Sequence, residues 1–379
     1  MLGFLFFIDC VANVPHYPVL FIIILYTIIF RYKRLSQGVI CNRRFGVLLL
    51  AFLLLCLINN ALHGFPGIPN MILMPIAFLC AFAIDKKDAR IFAILVFLEC
   101  FVGFYEYSLG IASIIPGENN SGEFLDEELL YFKRVSGVCK NSSTYGQQLL
   151  YALVFTLGFE GLFTKKQRIV LVITFLLGLF TTFNRTALGI AFLYLMIEAC
   201  IKFKYLFKLY RVKAILLSFF FLGLLLWLTL LYGQQIISQF NRGGDSVDLT
   251  GRPYIWSNFI LFIHNHVLGG NGSVHYMIQY HDGLLAHAHN SFLQMIADHG
   301  VPIALFYFFI ILSKVRKKNI KYCIVLFSTS LTQYILFWGF SMADVMLFAF
   351  LCNPRFYYSN SSGANKLINC SQRIVPQAT

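Results

Sequence analysis

Apolar runs separated by short polar stretches fill most of the chain. They fall at 17–30, 45–62, 67–84, 91–112, 146–164, 169–183, 187–201, 214–233, 300–313, 322–338 and 343–352. A helix that crosses a bilayer needs about 20 predominantly apolar residues. The shorter runs must therefore draw flanking aromatic and polar residues into their ends. A further run, Leu2 to Val11, carries Asp9 and reads as a truncated or interfacial first helix. It lacks the basic start and small-residue cleavage site of a signal peptide. The pattern predicts an all-α, polytopic integral membrane protein with 11–12 transmembrane helices, forming a single membrane domain over 1–379.

Composition sharpens this picture. Of the 379 residues, 58% are hydrophobic, 17% aromatic and only 12% charged. A soluble domain is about 25% charged, so a soluble globule, a disordered chain and a disulfide-stapled module are all excluded. The net charge of +13 comes from 30 Lys and Arg against 17 Asp and Glu. The basic residues cluster in loops: Arg31 to Arg34 with Arg43 and Arg44, then Lys86, Lys87 and Arg90, then Lys165 to Arg168, Lys202 to Lys213, and Lys314 to Lys318. Successive clusters are two spans apart, so all fall on one face, which the positive-inside rule makes cytoplasmic. The basicity is thus topological, and no nucleic-acid partner is implied. The polar tail 356–379 is assigned to the same cytoplasmic side. Most of the ten cysteines, among them Cys56, Cys80, Cys100, Cys200 and Cys323, lie inside apolar runs as small buried hydrophobes. Cys139 has at most Cys10 as a partner, and no CxxC pair exists. Neither a structural disulfide nor a zinc ribbon is expected.

The other face carries the chemistry. It has an uncharged turn at 63–66 and an acidic loop at 113–145 with Glu118, Glu123, Asp126, Glu127 and Glu128. It also has a tight turn at Asn184-Arg185-Thr186 and one large loop at 234–299. Seven of the nine histidines lie between 264 and 299. The other two, His16 and His63, sit at membrane interfaces and read as structural. Arg185 lies at or just below the membrane surface, where an arginine is either paired toward a cavity or snorkels to headgroups. Arg252, in Gly251-Arg252-Pro253-Tyr254-Ile255-Trp256, can grip a phosphate through its guanidinium fork or remain a solvated residue at the start of an interfacial helix. The cluster Gly269-Gly270-Asn271-Gly272 permits close backbone approach to a ligand. His289 precedes a short helix at 290–298 that Asn290 or Ser291 can cap. It is either a general base or a surface residue. The pairs His264/His266 and His287/His289 have no carboxylate or cysteine at ligand spacing, so no metal or other cofactor is assigned. Lys133 and Arg134 place two cations where topology does not ask for them.

Four of these motifs, in this order, resemble the O-antigen ligase and polymerase superfamily. His289-Asn290, nine residues and then Gly300 is similar to its signature, although Ile303 departs from the Gly, Thr or Tyr of the ligase form. The Asn184-Arg185-Thr186 turn resembles the family's Ser-Arg-Thr turn. Gly251-Arg252 with Trp256 and the following glycines resembles the opening of its large periplasmic loop. Arg134-Val135-Ser136-Gly137 with Asn141 is similar to a pattern before a middle span. The resemblance covers about 134–303. It implies a GT-C-like membrane glycosyltransferase of the bacterial inner membrane. Such an enzyme moves a glycan from undecaprenyl pyrophosphate to a hydroxyl in the periplasm, without metal or nucleotide. It implies His289 as the base, Arg185, Arg252 and Arg134 as pyrophosphate-binding residues, and Asn290, Trp256 and Gly300 as supporting residues. A polymerase joining lipid-linked repeats is the favoured activity, and a chain-length regulator is a further partner. A ligase acting on lipid A–core is the alternative, and a lipid-linked glycan flippase is a remote one. A flippase would predict mid-depth charges and a repeat of the two halves. The chain shows few of the former (Glu99 is the deepest) and none of the latter.

Overall fold

The computed structural model describes residues 1–115, 134–159, 161–209, 251–279, 285–353 and Phe356. The expected run at 214–233, the acidic cluster at 118–128, Glu160, His281 and the tail beyond Phe356 lie outside the described residues. Within them the regular structure is helical, apart from one two-stranded antiparallel ribbon, β1 (Ile278–Gln279) paired with β2 (Leu285–Ala286). In order the helices are α1 (Leu2–Asp9), α2 (His16–Cys41), α3 (Arg43–Leu62), α4 (Met74–Ala83), α5 (Lys86–Leu109), α6 (Ser142–Gly158), α7 (Lys165–Thr182) and α8 (Arg185–Leu209). They continue with α9 (Arg252–Asn265), α10 (Ser291–His299), α11 (Val301–Leu312), α12 (Ile320–Ser330) and α13 (Met342–Cys352).

Arg43–Leu62, Lys86–Leu109 and Arg185–Phe203 are long and apolar enough to cross a membrane, and several apolar helices are shorter. Helix α2 exposes Phe21, Ile22, Leu25, Ile28, Ile29 and Phe30. An apolar surface this continuous needs lipid rather than water against it. The chain is an all-α membrane protein, as its apolar runs predict.

The basic loops collect at one end of the bundle. Arg34 bonds Asp85 at 2.6 Å, and Arg90 lies 5.7 Å over the Phe163 ring. Lys314 donates to Asn42 at 3.3 Å, and Lys321 pairs with Glu198. At the opposite end, Asn59 and Asn60 at the close of α3 donate to the carbonyls of Gly269 and Gly272. These bonds fix the glycine-rich stretch onto the helix bundle.

Two segments depart from the simple run-equals-span reading. Residues 135–140 turn down into the bundle before α6 begins. The Glu99 carboxylate accepts from Val138 N at 3.2 Å and from the Cys139 thiol at 3.2 Å, and Glu106 accepts from Gly137 N and Ile114 N. Glu99 lies ten residues before the end of α5, or about 15 Å along a helix, so this stretch reaches well below the helix ends. Cys139 and Cys10 lie beside each other through the Val11–Cys139 bridge, and both are free thiols.

The second departure corrects an expectation. The run 322–338 does not form one span: α12 ends at Ser330, and 331–341 is irregular chain. Buried backbone outside a helix needs other partners, and two side chains supply them. Ser291 Oγ accepts from Ile335 N and Leu336 N, while Asp344 accepts from Phe337 N and Trp338 N. The run 67–84 is likewise shortened, with a 3-10 turn at Asn70–Leu73 ahead of α4.

Candidate active site

The loop that carries His289 is pinned on both flanks. On one side, Ala288 N donates to Gln294 Oε1 at 2.8 Å, and Ala288 O accepts from Trp256 Nε1 at 2.7 Å. On the other, Asn290 Oδ1 accepts from Phe292 N and Leu293 N, both at 3.0 Å, and caps α10. Between these anchors His289 is held at φ +49°. For a residue with a Cβ this conformation costs about 1–3 kcal/mol and persists only where its surroundings impose it. Phe183, Ser273 and Phe337 also have positive φ. They sit beside the Asn184–Arg185 turn, in the glycine-rich stretch and in the 331–341 segment. Two further such residues, Asn13 and Phe65, lie in the α1–α2 and α3–α4 connections.

The His287 and His289 rings are in contact, tilted by 58° with centroids 4.2 Å apart. His287 Nδ1 accepts from His289 N at 3.2 Å, which leaves its ring proton on Nε2. Burial, followed by the neighbouring His289 and His275, pushes the His287 pKa down to about 4. Burial and then the Arg252 charge hold the His289 pKa below the ordinary histidine value. Both rings are thus neutral near pH 7, and His289 offers a free-base nitrogen. Arg252 sits in the first turn of α9, one turn before Trp256, so the tryptophan that anchors Ala288 also fixes the arginine's helix.

Behind this pair lies an Asp–His arrangement. The buried Asp298 carboxylate accepts from Tyr276 N and Gln294 Nε2, both at 2.8 Å, and from Asn70. It lies 3.3 Å from His275 Nδ1. His275 stacks on Tyr334 at 5.2 Å and an interplanar angle of 12°, and Tyr334 stacks on Trp338 at 4.4 Å.

Arg185 begins α8 directly after the Phe183–Asn184 turn. Asn184 Oδ1 accepts from Ala187 N as a cap, and its amide nitrogen donates to Ser143 O. Thr186 bonds Thr332, and Gln333 O accepts from Ser291 Oγ. The Arg185 turn and the His289 loop therefore flank the same stretch of irregular chain. Arg134 is exposed, next to Val135, whose N–H donates to Thr181 O near the same turn. Arg134, Arg185, Arg252 and His289 thus occupy one end of the bundle.

The glycine cluster behaves differently from a ligand cradle. A Cβ on Gly270 (φ +56°) would lie 2.4 Å from Ala297 O, and one on Gly300 (φ +79°) 2.4 Å from Leu268 O. The close approach is between this stretch and the C-terminal end of α10, sealed by Val301 N to Val267 O at 2.8 Å. Gly300 at φ +79° lets the end of α10 pack against the Leu268–Gly269 backbone.

A cavity of about 550 Å³ opens beneath the histidines. Its walls come from α1 and α2 (Asp9, Cys10, His16), from α6 (Asn141 to Tyr151) and from Gln333 to Ala343, with His287 and His289 above. Sequence reading placed His16 among structural residues. Here its Nδ1 pairs with Asp9 at 2.6 Å and the pair lines the cavity. Gln148, Tyr151 and His275 also escaped sequence reading. The histidine-rich loop was the only signal pointing toward His275. Among the described residues no three His, Cys, Asp or Glu side chains converge as a metal site.

The model of the O-antigen ligase family matches residues 169–309. This stretch holds Arg185, Arg252, His289 and Gly300, so the resemblance to the O-antigen ligase and polymerase superfamily now rests on an independent comparison as well as on the motifs. No curated protein matches the chain. The chain is a membrane protein in which residues 169–309 are similar to the O-antigen ligase family.

Proposed function

We propose that the protein is a surface-polysaccharide polymerase that transfers a glycan from undecaprenyl pyrophosphate onto a hydroxyl of another lipid-linked repeat unit. The observation that carries this reading is a neutral, strained His289 above a polar-lined cavity and close to the Arg252 charge, within the matched region. In the reaction His289 takes the acceptor hydroxyl proton as the new C–O bond forms at the anomeric carbon. The bond from that carbon to the phosphate oxygen breaks, and the lipid pyrophosphate leaves with the electron pair. A single in-line displacement inverts the anomeric centre. Arg185 and Arg252 stabilise the charge growing on the leaving group, with Arg134 as a third contributor. Asn290, Trp256 and Gly300 hold the His289 loop in place. The donor is already activated, so the reading assigns no nucleotide. The active site faces the periplasm from the inner membrane, opposite the basic end. A chain-length regulator is the further partner this activity would engage.

A ligase reading is favoured by one observation, the description of the matching family as O-antigen ligase. The two are separated by the lipopolysaccharide banding pattern after deletion of the gene. Cores with a single repeat and no ladder indicate polymerase. Bare cores with accumulating lipid-linked polymer indicate ligase. A His289→Ala copy that restores a normal ladder would overturn the catalytic assignment in either case.

A further inference from the structure

The cavity floor contains polar groups that the fold does not satisfy. Gln148 and Tyr151 lie three residues apart on α6, so they share a face. Both line the cavity, and both are at least nine-tenths buried. Neither end of the Gln148 amide, nor the Tyr151 hydroxyl, has a hydrogen-bond partner among the described residues. The Cys10 thiol lies beside the Gln148 amide, but sulfur is a weak partner. A buried polar atom left unpaired costs about 1–3 kcal/mol, and two adjacent residues carrying that cost toward the same cavity point to an occupant that repays it. The volume, about 550 Å³, is within the usual range for small-ligand sites.

The chemistry of the walls narrows the occupant. A donor and acceptor amide, a hydroxyl and the Asp9–His16 pair offer hydrogen bonds in both senses, while Trp338, backed by the stacked Tyr334 and itself 44% exposed, offers a flat apolar face. A pyranose ring presents that same combination, hydroxyls around its rim and C–H faces above and below. The position then decides which sugar. His287 and His289 are on the lining, whereas Arg134, Arg185 and Arg252 are not. A group in this cavity meets the base but not the arginines assigned to the pyrophosphate.

We propose that this cavity is the acceptor pocket, in which Gln148 and Tyr151 hold a sugar ring of the acceptor glycan so that its hydroxyl reaches His289. The donor lies outside it, on the arginine side. The proposal rests on the glycan-transfer reading above.

The test uses the purified full-length protein and two fluorescently tagged probes without lipid or pyrophosphate. One is the repeat-unit oligosaccharide released by mild acid from lipid-linked glycan of the deletion strain. The other is the core oligosaccharide released from that strain's lipopolysaccharide. One probe is expected to bind the wild-type and Arg252→Ala proteins alike. It should bind Gln148→Leu and Tyr151→Phe at least tenfold more weakly. Tyr151→Phe removes only the unpartnered hydroxyl, so it keeps the test valid if Gln148→Leu fails to fold. Binding undiminished in Tyr151→Phe and in a folded Gln148→Leu overturns the proposal. So does binding lost with Arg252, or a wild-type protein that restores the ladder in cells yet binds neither probe. Failure of the underlying reading looks different: the deletion strain would have a normal ladder, and the pocket assignment would fall with it.

Discussion

At the basic end of the bundle, Arg31 and Arg34 meet Asp85 at 3.1 and 2.6 Å, and Arg31 lies 3.6 Å from Asp88. Asp85 and Asp88 also cap α5 reciprocally, each accepting the other's backbone N–H. At the opposite end, Gln148 and Tyr151 are buried in the cavity wall without hydrogen-bond partners among the described residues, and His289 is strained. The first cluster is consumed by the fold, since its charges neutralise one another and close a helix end. The second leaves bonding capacity unused in a cavity. The difference separates polar residues that hold the structure from those available to a ligand, and counting charges alone would have ranked the two ends the wrong way round.

The sharpest way to break this comparison is His289→Ala. Loss of a general base is expected to lower the rate of glycan transfer by about 10²–10⁴-fold, measured on membranes with equal amounts of folded protein. A rate within a fewfold of wild type would place His289 among the structural residues. Next is Asp298→Ala, which leaves the donors of Tyr276, Gln294 and Asn70 without their acceptor. At about 1–3 kcal/mol for each unsatisfied group, the detergent-solubilised protein should unfold at a clearly lower temperature. An unchanged melting curve would show that water replaces the carboxylate.

A smaller effect is expected for Arg252→Gln on the pH profile. The wild-type acidic limb should lie below 6.5, the ordinary histidine value, because burial and the Arg252 charge both disfavour His289 protonation. Removing that charge raises the His289 pKa, so the acidic limb of the residual activity should move to higher pH. A limb that stays in place would detach Arg252 from the base. The smallest effect is expected at the basic end. Arg34 is partly exposed, and Arg34→Ala should cost no more than about 1 kcal/mol of stability, leaving the transfer rate unchanged in the same membrane assay.

How far the molecule could be read from its sequence depended on range. Apolar runs report local burial, so α3, α5 and α8 were legible from composition alone. The cap of α10 at Asn290 was equally local. The break after Ser330 was not legible, because its backbone bonds go to Ser291 and Asp344, and the apolar letters of 331–341 give no sign of that. Gln148 and Tyr151 sit in an apolar run and become notable only when α1, α2 and the 331–341 segment converge on them. The Asp298–His275 pair depends on a loop folding back over 23 residues. Conversely, the glycines at 270 and 300 were visible, but their neighbours were not, and those neighbours are protein backbone.

The irregular segment after α12 has an implication for how such a pocket can change. Its backbone is held by Ser291 and Asp344, which reach in from two other helices, while its own side chains Gln333, Tyr334 and Trp338 face the cavity. Most of the scaffold is therefore encoded apart from the lining, although Trp338, whose Nε1 donates to Tyr334 O, and Ser341, whose hydroxyl donates to Ile335 O, serve both. Replacing one of the other lining residues leaves the supporting bonds in place, so the contour offered to a sugar can be rewritten one side chain at a time without refolding the wall. A transferase built this way can exchange one glycan for another by a handful of substitutions in eleven residues, with the base and its anchors untouched.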